Sequence, residues 1–229
     1  MTSSWFDLLG VFDLETTGID VSTSRIVSAH VGLIDASGAV VERQDWLADP
    51  GVEIPEQASS VHGITTERAR AEGRSAPEVV AEIVSALRTL LERGIAITIY
   101  NAPYDLSLLR HEALRYGIPP LDAPAPVIDP LVLDRVVDKY RRGKRTLEVA
   151  AEVYGVELTD AHDAGADAIA AGRVAQAMAR RYPAQLAIEP GVLHSRQVDW
   201  CAEQAADFEA YMRRTHNPDF STSGLWPVR

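Results

Sequence analysis

The sequence is poor in cysteine, in long apolar runs and in net positive charge. A single cysteine, Cys201, excludes an internal disulfide framework and a cysteine-rich zinc site, and it favours a reducing environment. No apolar stretch approaches the roughly 20 residues that cross a bilayer, and residues 1–10 lack the layout of a secretory signal. We therefore expect a cytoplasmic protein with no membrane partner.

Acidic residues outnumber basic residues by 33 to 22, which gives a net charge of −11. Proteins that coat a duplex usually carry the opposite sign, because their affinity comes from neutralising phosphates. The balance argues against a simple DNA-binding module, but it allows an enzyme that holds a few nucleotides through metal ions. The only dense basic stretch is KYRRGKR, 139–145. It is either a solvated loop after a helix or a grip on substrate phosphates.

The apolar pattern predicts one mixed α/β domain. Three adjacent strands joined by tight turns are predicted first, a buried strand and a short strand come later, and their ranges are 8–14, 25–35, 39–48, 95–100 and 126–129. Five helices are predicted at about 76–93, 104–116, 130–140, 146–154 and 163–182. Strands that later alternate with helices indicate a mixed sheet with helices on both faces. For the first helix, Ser75 and Glu78 predict a capping box.

A further helix is predicted at about 193–214. Its apolar residues recur at intervals of three and four and form one stripe, made of Val198, Cys201, Ala205, Phe208 and Met212. We expect residues 1–182 to form the main domain and residues 183–229 to form a helical extension docked on it. A partner-binding helix is the alternative interpretation.

Two carboxylates interrupt the first apolar strand, in the segment FDLETTG, 12–18. Asp13 and Glu15 share one face of a strand, while Phe12 and Leu14 point the opposite way. Two buried carboxylates repel each other unless a cation compensates them, and oxygen ligands suit Mg²⁺ or Mn²⁺. The alternative is an edge strand with a wet outer face. The second Asp-x-Glu, beginning at Asp207, fits the solvated side of a helix.

Two further acidic segments follow helix-start signals. In NAPYDLSLL, 101–109, Asp105 falls in the first turn of a helix, where an acid also compensates the helix dipole. In HDAGADA, 162–168, His162 and Asp167 are five residues apart and cannot share a helical face. If both serve one site, His162 lies on the loop or first turn and Asp167 lies within the helix. The helix cap would be Asp163 or Asp160.

Together these segments resemble the three motifs of the DEDDh 3′–5′ exonucleases, the group that includes the proofreading epsilon subunit of bacterial DNA polymerase III. VHGIT, 61–65, adds a fourth matching segment, and the resemblance covers about residues 8–182. It implies a ribonuclease H-like, mixed five-stranded sheet with helices on both faces.

The resemblance also implies roles for individual residues. Two divalent cations, Mg²⁺ or Mn²⁺, would be bound by four acids, and His162 would be the general base. The acids are Asp13, Glu15, Asp105 and Asp167. Residues that would bind substrate or support its pocket are Thr16, Thr17, Gly18, His62, Asn101 and Tyr104. Two departures from the family pattern, Tyr104 in place of phenylalanine and Tyr100 in place of histidine, affect the pocket more than the metals.

The implied activity is metal-dependent release of nucleoside 5′-monophosphates from a single-stranded DNA or RNA 3′ end, of the proofreading or repair type. A DNA polymerase or sliding clamp is a further partner that the resemblance suggests. Two alternatives stay open at this point: an RNA-trimming exonuclease, and a non-catalytic scaffold that binds nucleic acid or a polymerase.

Overall fold

The computed structural model describes residues 4–158 and 162–229. Within them the chain forms a mixed sheet flanked by helices. The strands are β1 (Leu8–Thr16), β2 (Ile26–Asp35), β3 (Val40–Asp49), β4 (Arg74–Ser75), β5 (Ile97–Thr98) and β6 (Val127–Ile128). The helices are α1 (Glu56–His62), α2 (Thr66–Glu72), α3 (Ala76–Glu92), α4 (Ala102–Arg115), α5 (Pro130–Val137), α6 (Leu147–Tyr154), α7 (Ala164–Arg181), α8 (Pro183–Leu186) and α9 (Pro190–Thr215).

The sheet order is β4-β3-β2-β1-β5-β6, with β1 near its centre. Strands β1, β2 and β3 pair antiparallel, whereas β5 joins β1 in parallel and β6 joins β5 in parallel. The predicted mixed α/β architecture is therefore confirmed. A sixth, two-residue strand, β4, adds to the five predicted ones by pairing in parallel with the end of β3.

The two faces of β1 contribute to two separate apolar cores. Phe12 and Leu14 belong to the core that contains residues of α3 and α4, such as Ile83 and Leu108. Residues of the opposite face, including Val11, belong to the core that contains α7. Helices cover both faces, as predicted. Among the described residues, none of the helices combines the length and the apolar character needed to span a membrane.

Three local predictions need correction. Ser75 precedes α3 but its side chain makes no capping hydrogen bond, because the residue is drawn into the β4 pairing with Asp49. The buried segment 95–100 has ladder pairing only at β5, so it is shorter as a strand than predicted. Helix α4 begins at Ala102, two residues earlier than expected, after Asn101 adopts a left-handed conformation with φ 63°.

The predicted apolar stripe of α9 is only partly buried: Cys201, Ala205 and Met212 are half-buried, and Cys201 packs against the core that holds Phe12. Val198 and Phe208 are 39% and 50% exposed, whereas Leu193 and Gln197 are buried. The helix covers the edge strand β6, whose free backbone groups need polar partners, and the Gln197 amide supplies them by donating to the Val127 carbonyl at 2.9 Å. The division of the chain at residue 182 stays a prediction.

Helix α7 approaches the sheet unusually closely at Gly172. A Cβ atom at this position would lie 2.5 Å from Val11 Cγ1 and 2.7 Å from Ile34 Cδ1, both in buried side chains. Since real carbon atoms do not approach so closely, the absence of a side chain at residue 172 sets the spacing between α7 and strands β1 and β2.

Gly172→Ala should therefore destabilise the protein, although glycine to alanine within a helix normally stabilises it. We expect the free energy of unfolding to fall by about 1–3 kcal/mol through overpacking, which exceeds the gain in helix propensity of roughly 1 kcal/mol. Urea denaturation followed by circular dichroism measures it. An unchanged or higher midpoint would contradict the close packing.

Candidate active site

The carboxyl-terminal half of β1 presents two acids on one face. Asp13 and Glu15 point away from the core that holds Phe12 and Leu14, as the strand alternation predicts. Ligand oxygens of Asp13, Glu15 and Asp167 all lie within 4.8 Å of one another. The first strand and α7, separated by about 150 residues of chain, thus form a compact cluster of three carboxylates.

Asp105 lies beside this cluster, in the first turn of α4. Its side chain is buried, and Oδ1 accepts a hydrogen bond of 3.2 Å from the backbone N–H of Leu14, the residue between the two strand acids. The charge of Asp105 also contributes to the raised pKa of Asp13. The structure therefore brings all four predicted acids to one end of β1, three within the tight cluster and Asp105 adjacent to it.

The third motif has the predicted division between loop and helix. His162 lies outside α7 with a left-handed backbone, φ 70°, and its N–H donates to Asp167 Oδ2 at 3.2 Å. Asp163 caps α7 by accepting from Ala166 N at 3.0 Å, while the alternative cap, Asp160, is outside the described residues. The His162 ring is half exposed, and Nε2 lies 3.9 Å from Glu148 Oε1.

The four carboxyl groups at the end of β1 all have raised pKa values. Burial, then the charges of Asp105 and Glu15, raise the pKa of Asp13 well above its usual range. Burial, followed by the charge of Asp167, raises the pKa of Glu15 from 4.5 to about 8. Burial likewise raises the pKa of Asp105 and of Asp167. These shifts share one main cause, which is burial of the carboxylates. Nearby like charges add to it, and the charge of His162 offsets it only in part at Asp167.

The donor set fits a hard divalent cation. Asp167 Oδ1 is buried and has no hydrogen-bond partner within the described part of the chain. Buried oxygen atoms of this kind are rare unless a ligand binds them. Carboxylate-only coordination, with no sulfur or nitrogen in the group, is typical of Mg²⁺ and Mn²⁺. The residues present are therefore suited to the divalent cations that the sequence resemblance implies.

A cavity of about 670 Å³ adjoins the acids. Glu15 forms part of its wall, and five of the predicted substrate residues also line it: Thr16, Thr17, Gly18, His62 and Tyr104. The sixth predicted residue, Asn101, contacts Asp129 instead: its backbone N–H donates to Asp129 Oδ1. The cavity is open to solvent next to the carboxylate cluster, so a bound molecule could extend from the cavity to the acids.

Hydrogen bonds fix the shape of this cavity. The Tyr104 hydroxyl donates to the Gly18 carbonyl at 2.6 Å and lies 2.5 Å from Thr16 Oγ1. Thr17 Oγ1 accepts from the backbone N–H of Arg25 at 2.9 Å, so this hydroxyl has a structural contact. Nδ1 of His62 accepts from Ile64 N, and burial lowers the pKa of the His62 imidazole. Tyr104, one of the two departures from the family pattern, thus holds the turn after β1 in place through these hydrogen bonds.

The basic segment 139–145 divides into inward and outward cations. Arg141 and Arg145 both contact the buried carboxylate of Asp134, the latter at 2.6 Å from Oδ2. Their side chains are only 14% and 13% exposed, so these two residues are neither solvated nor free to hold a phosphate. Arg142 and Lys144 are exposed.

Sequence reasoning missed the buried acids that organise the surroundings of the site. Asp129 and Asp134 are 1% and 0% exposed and each has several hydrogen-bond donors around it. A signal existed for Asp129, because an acid before proline at the end of a strand is typical of a helix N-cap. For Asp134 the sequence gives no comparable signal, because its partners Arg141 and Arg145 are separated from it by an irregular loop.

Comparison with known proteins identifies the class. The exonuclease family model, RNase_T, matches residues 11–175, which include all four acids and His162. The chain belongs to this exonuclease family. The predicted recognition is confirmed at the level of the family.

Two relatives have names that refer to DNA polymerase III. The DNA polymerase III subunit epsilon-like protein of Rhodobacter capsulatus is 32% identical over 178 residues, covering 76% of this chain and 23% of the relative. A PolC-type DNA polymerase III of Lacticaseibacillus paracasei is 29% identical over 169 residues, covering 73% of this chain and 11% of the relative. The chain therefore spans less than a quarter of the length of these relatives.

Solved structures of exonuclease I from E. coli share the fold. A complex with a dT13 oligonucleotide superposes with a TM-score of 0.65 at 23% identity, covering 78% of this chain and 42% of that chain. Another exonuclease I structure gives a TM-score of 0.66 at 21% identity, covering 93% of this chain and 45% of that chain. At this identity the comparison establishes the fold alone.

The raised pKa of Glu15 predicts an inverse pH dependence of stability in the metal-free protein. Between pH 4.5 and 8 the folded state binds more protons at Glu15 than the unfolded state does, so stability falls as pH rises through this window. In EDTA, the melting temperature of the wild type should fall more steeply across this range than that of Glu15→Gln. Parallel curves for the two proteins would contradict the assignment.

Proposed function

We propose that the protein is a metal-dependent 3′–5′ exonuclease that releases nucleoside 5′-monophosphates from single-stranded nucleic acid. The observation that carries the proposal is the cluster of Asp13, Glu15 and Asp167 oxygens, within 4.8 Å of one another and inside the matched exonuclease region. Such a cluster of half-buried, like-charged carboxylates lowers stability unless cations compensate it. Asp105 is the fourth proposed ligand.

Bound divalent cations would supply charge stabilisation and an activated water for phosphodiester hydrolysis. His162 is the general base that accepts the proton of the attacking water. Its backbone N–H anchors Asp167 Oδ2, so the base and one metal ligand move as a unit. Glu148 Oε1 lies 3.9 Å from Nε2, beyond hydrogen-bond distance, and would pair with the ring once the ring has accepted the proton. The half-exposed position of His162 gives the imidazole access to a strand that enters from solvent.

The cavity next to Glu15 is the proposed site of the terminal nucleotide. Thr16, Gly18 and Tyr104 form its braced wall, and His62 lies on the opposite segment, α1. The buried wall excludes water from one side of the nucleotide, while Glu15 links the cavity to the metal ligands. Asn101 has a supporting role, through the left-handed turn that begins α4.

DNA is the proposed polymer, and the support comes from the proteins that this chain resembles. The exonuclease I structures that share this fold were determined with the DNA oligonucleotides dT13 and dA16. The names of two relatives suggest a DNA polymerase as a further partner, in a cytoplasmic setting. Matched DNA and RNA oligonucleotides separate this proposal from the RNA-trimming alternative, which requires faster hydrolysis of the RNA strand.

Asp13→Asn and His162→Gln should both abolish most cleavage for different reasons. Asp13→Asn removes a charged ligand, and His162→Gln removes the base, which is worth roughly 10²–10⁴-fold in rate. The assay follows a 5′-labelled single strand with Mg²⁺ or Mn²⁺, which yields a ladder of shortened products if digestion begins at the 3′ end. Thin-layer chromatography of a 3′-labelled strand identifies the released mononucleotide.

The matched control is Asp207→Asn, from the second Asp-x-Glu segment. Asp207 lies on α9 with its side chain 73% exposed. Its ion pair with Lys139, at 3.4 Å, is screened by solvent, so the change should leave the rate unchanged. Wild-type rates in Asp13→Asn and His162→Gln would refute the site assignment. A wild type that neither cleaves nor binds Mn²⁺ would favour the non-catalytic scaffold.

Arg142 and Lys144 are proposed to contact substrate phosphates upstream of the cleaved bond. The C-terminal end of the loop that carries them is held next to the site. Tyr100, next to Asn101, donates to the Arg145 carbonyl at 2.8 Å, and α6 follows the loop with Glu148 beside His162. Tyr140, 89% exposed, lies in the same loop and offers a ring on which a base can stack.

The double variant Arg142→Ala, Lys144→Ala should raise KM several-fold. It should reduce the slope of log KM against log salt by about 1.4, since about 0.7 counterion is released for each of the two phosphate contacts on a single strand. Arg141 is left intact because it contacts the buried Asp134. The double variant Arg196→Ala, Arg214→Ala removes the same charge from α9 and is the control. Equal salt slopes in the two variants would favour the solvated-loop interpretation.

A further inference from the structure

Asp129 is a buried carboxylate that connects three separate parts of the chain. It lies directly after β6 and is 1% exposed. Oδ1 accepts from Asn101 N at 2.9 Å and from Leu131 N at 3.0 Å, and Oδ2 accepts from Ala102 N at 3.0 Å. The fourth donor is the indole Nε1 of Trp226, 3.2 Å from Oδ2. One side chain therefore satisfies backbone groups at the start of two helices.

These contacts determine where α4 begins. Asn101 adopts a left-handed conformation, and its side chain makes no capping hydrogen bond, so the first amides of α4 depend on Asp129. Asp105, one turn further along α4, is the proposed ligand that also accepts from Leu14 N. A shift at the start of α4 would therefore move Asp105 relative to Asp13 and Glu15.

The C-terminal segment holds Asp129 from the other side. Gln197 Oε1, on α9, accepts from the backbone N–H of Asp129 at 2.7 Å. The Trp226 ring is 6% exposed and packs against His194 with a centroid distance of 4.9 Å. Beyond it, the N–H of Arg229 donates to Ser107 Oγ on α4 at 2.9 Å. The segment reaches back over α4 although it lies outside the matched family region, 11–175.

We propose that Gln197 and Trp226 are positioning residues of the active site, which act through Asp129 to hold the start of α4 and thereby Asp105. The inference rests on the proposed function for its catalytic consequence. Burial of the Trp226 ring alone would stabilise the fold without positioning the start of α4. The indole N–H of Trp226 donates to the Asp129 carboxylate and so connects the C-terminal segment to the site. A hydrogen bond to a charged group is stronger than one to a neutral acceptor.

Trp226→Phe tests this connection, because it keeps an aromatic ring and removes the N–H donor. The matched control is Trp5→Phe. Trp5 is equally buried, 6% exposed, and its Nε1 donates to the Leu186 carbonyl at 2.8 Å, in the core on the other side of the sheet. Both variants lose one indole hydrogen bond, so both should have a lower melting temperature. Only the hydrogen bond lost in Trp226→Phe is connected to the start of α4, through Asp129.

Three measurements on the full-length proteins separate the variants. Amide exchange of the metal-free protein, followed by mass spectrometry over peptides spanning residues 100–106, should rise about tenfold in Trp226→Phe alone, as expected for loss of one hydrogen bond to a charged group. Calorimetry should show weaker Mn²⁺ binding in the same variant. In nuclease assays kcat should fall about tenfold, and KM should rise as well, because Tyr104 in the same turn of α4 lines the cavity next to Glu15.

Equal exchange and equal Mn²⁺ affinity in the two variants would overturn the proposal and leave Trp226 as a core side chain. If Trp226→Phe does not fold, Gln197→Met removes the contact with Asp129 N while retaining the tail, and the same exchange and Mn²⁺ results are expected. If the wild type has no nuclease activity, the proposed function fails. The exchange and Mn²⁺ measurements still test the positioning role independently in that case.

Discussion

The repulsion among carboxylates at the end of β1 is the constraint on which the rest of the structure depends. Asp13, Glu15 and Asp167 lie together, and their raised pKa values record how poorly the protein alone compensates them. Three features of the fold hold the four acids: strand alternation for Asp13 and Glu15, the start of α4 for Asp105, and a capped helix for Asp167. The fold brings the acids together, and cations are needed to make that arrangement favourable.

The supports of the site are themselves buried polar groups. Asp129 connects the start of α4 to β6 and to the tail, and Asp134 holds Arg141 and Arg145 beneath the basic loop. A buried carboxylate with three or more donors is rigid, because breaking any contact leaves a charge unsatisfied in a low dielectric. Rigidity of this kind is what a metal site needs if its ligands are to keep their positions before the cation binds.

Local periodicity predicted most of the fold and two of the acids, but not their supports. Alternation in β1 placed Asp13 and Glu15 on one face, because that pattern is short-range. The roles of Asp105 and Asp167 came from the resemblance to the exonuclease motifs, since a helix start alone also accounts for an acid. The buried face of α9 was predicted only in part. Gln197 is buried because it forms hydrogen bonds with β6 and the residue after it, which a search for apolar residues does not detect. Trp226 was unpredictable for a related reason: its partner Asp129 is 97 residues away, and no local pattern encodes that contact.

Mn²⁺ titration calorimetry in two buffers of different ionisation enthalpy tests the central claim most directly. Because the pKa of Glu15 is about 8 without metal, binding at neutral pH should release protons, and the observed heat should depend on the buffer. The account predicts binding with proton release in the wild type and loss of both in Asp13→Asn. Binding without proton release, or equal binding in Asp13→Asn, would contradict it.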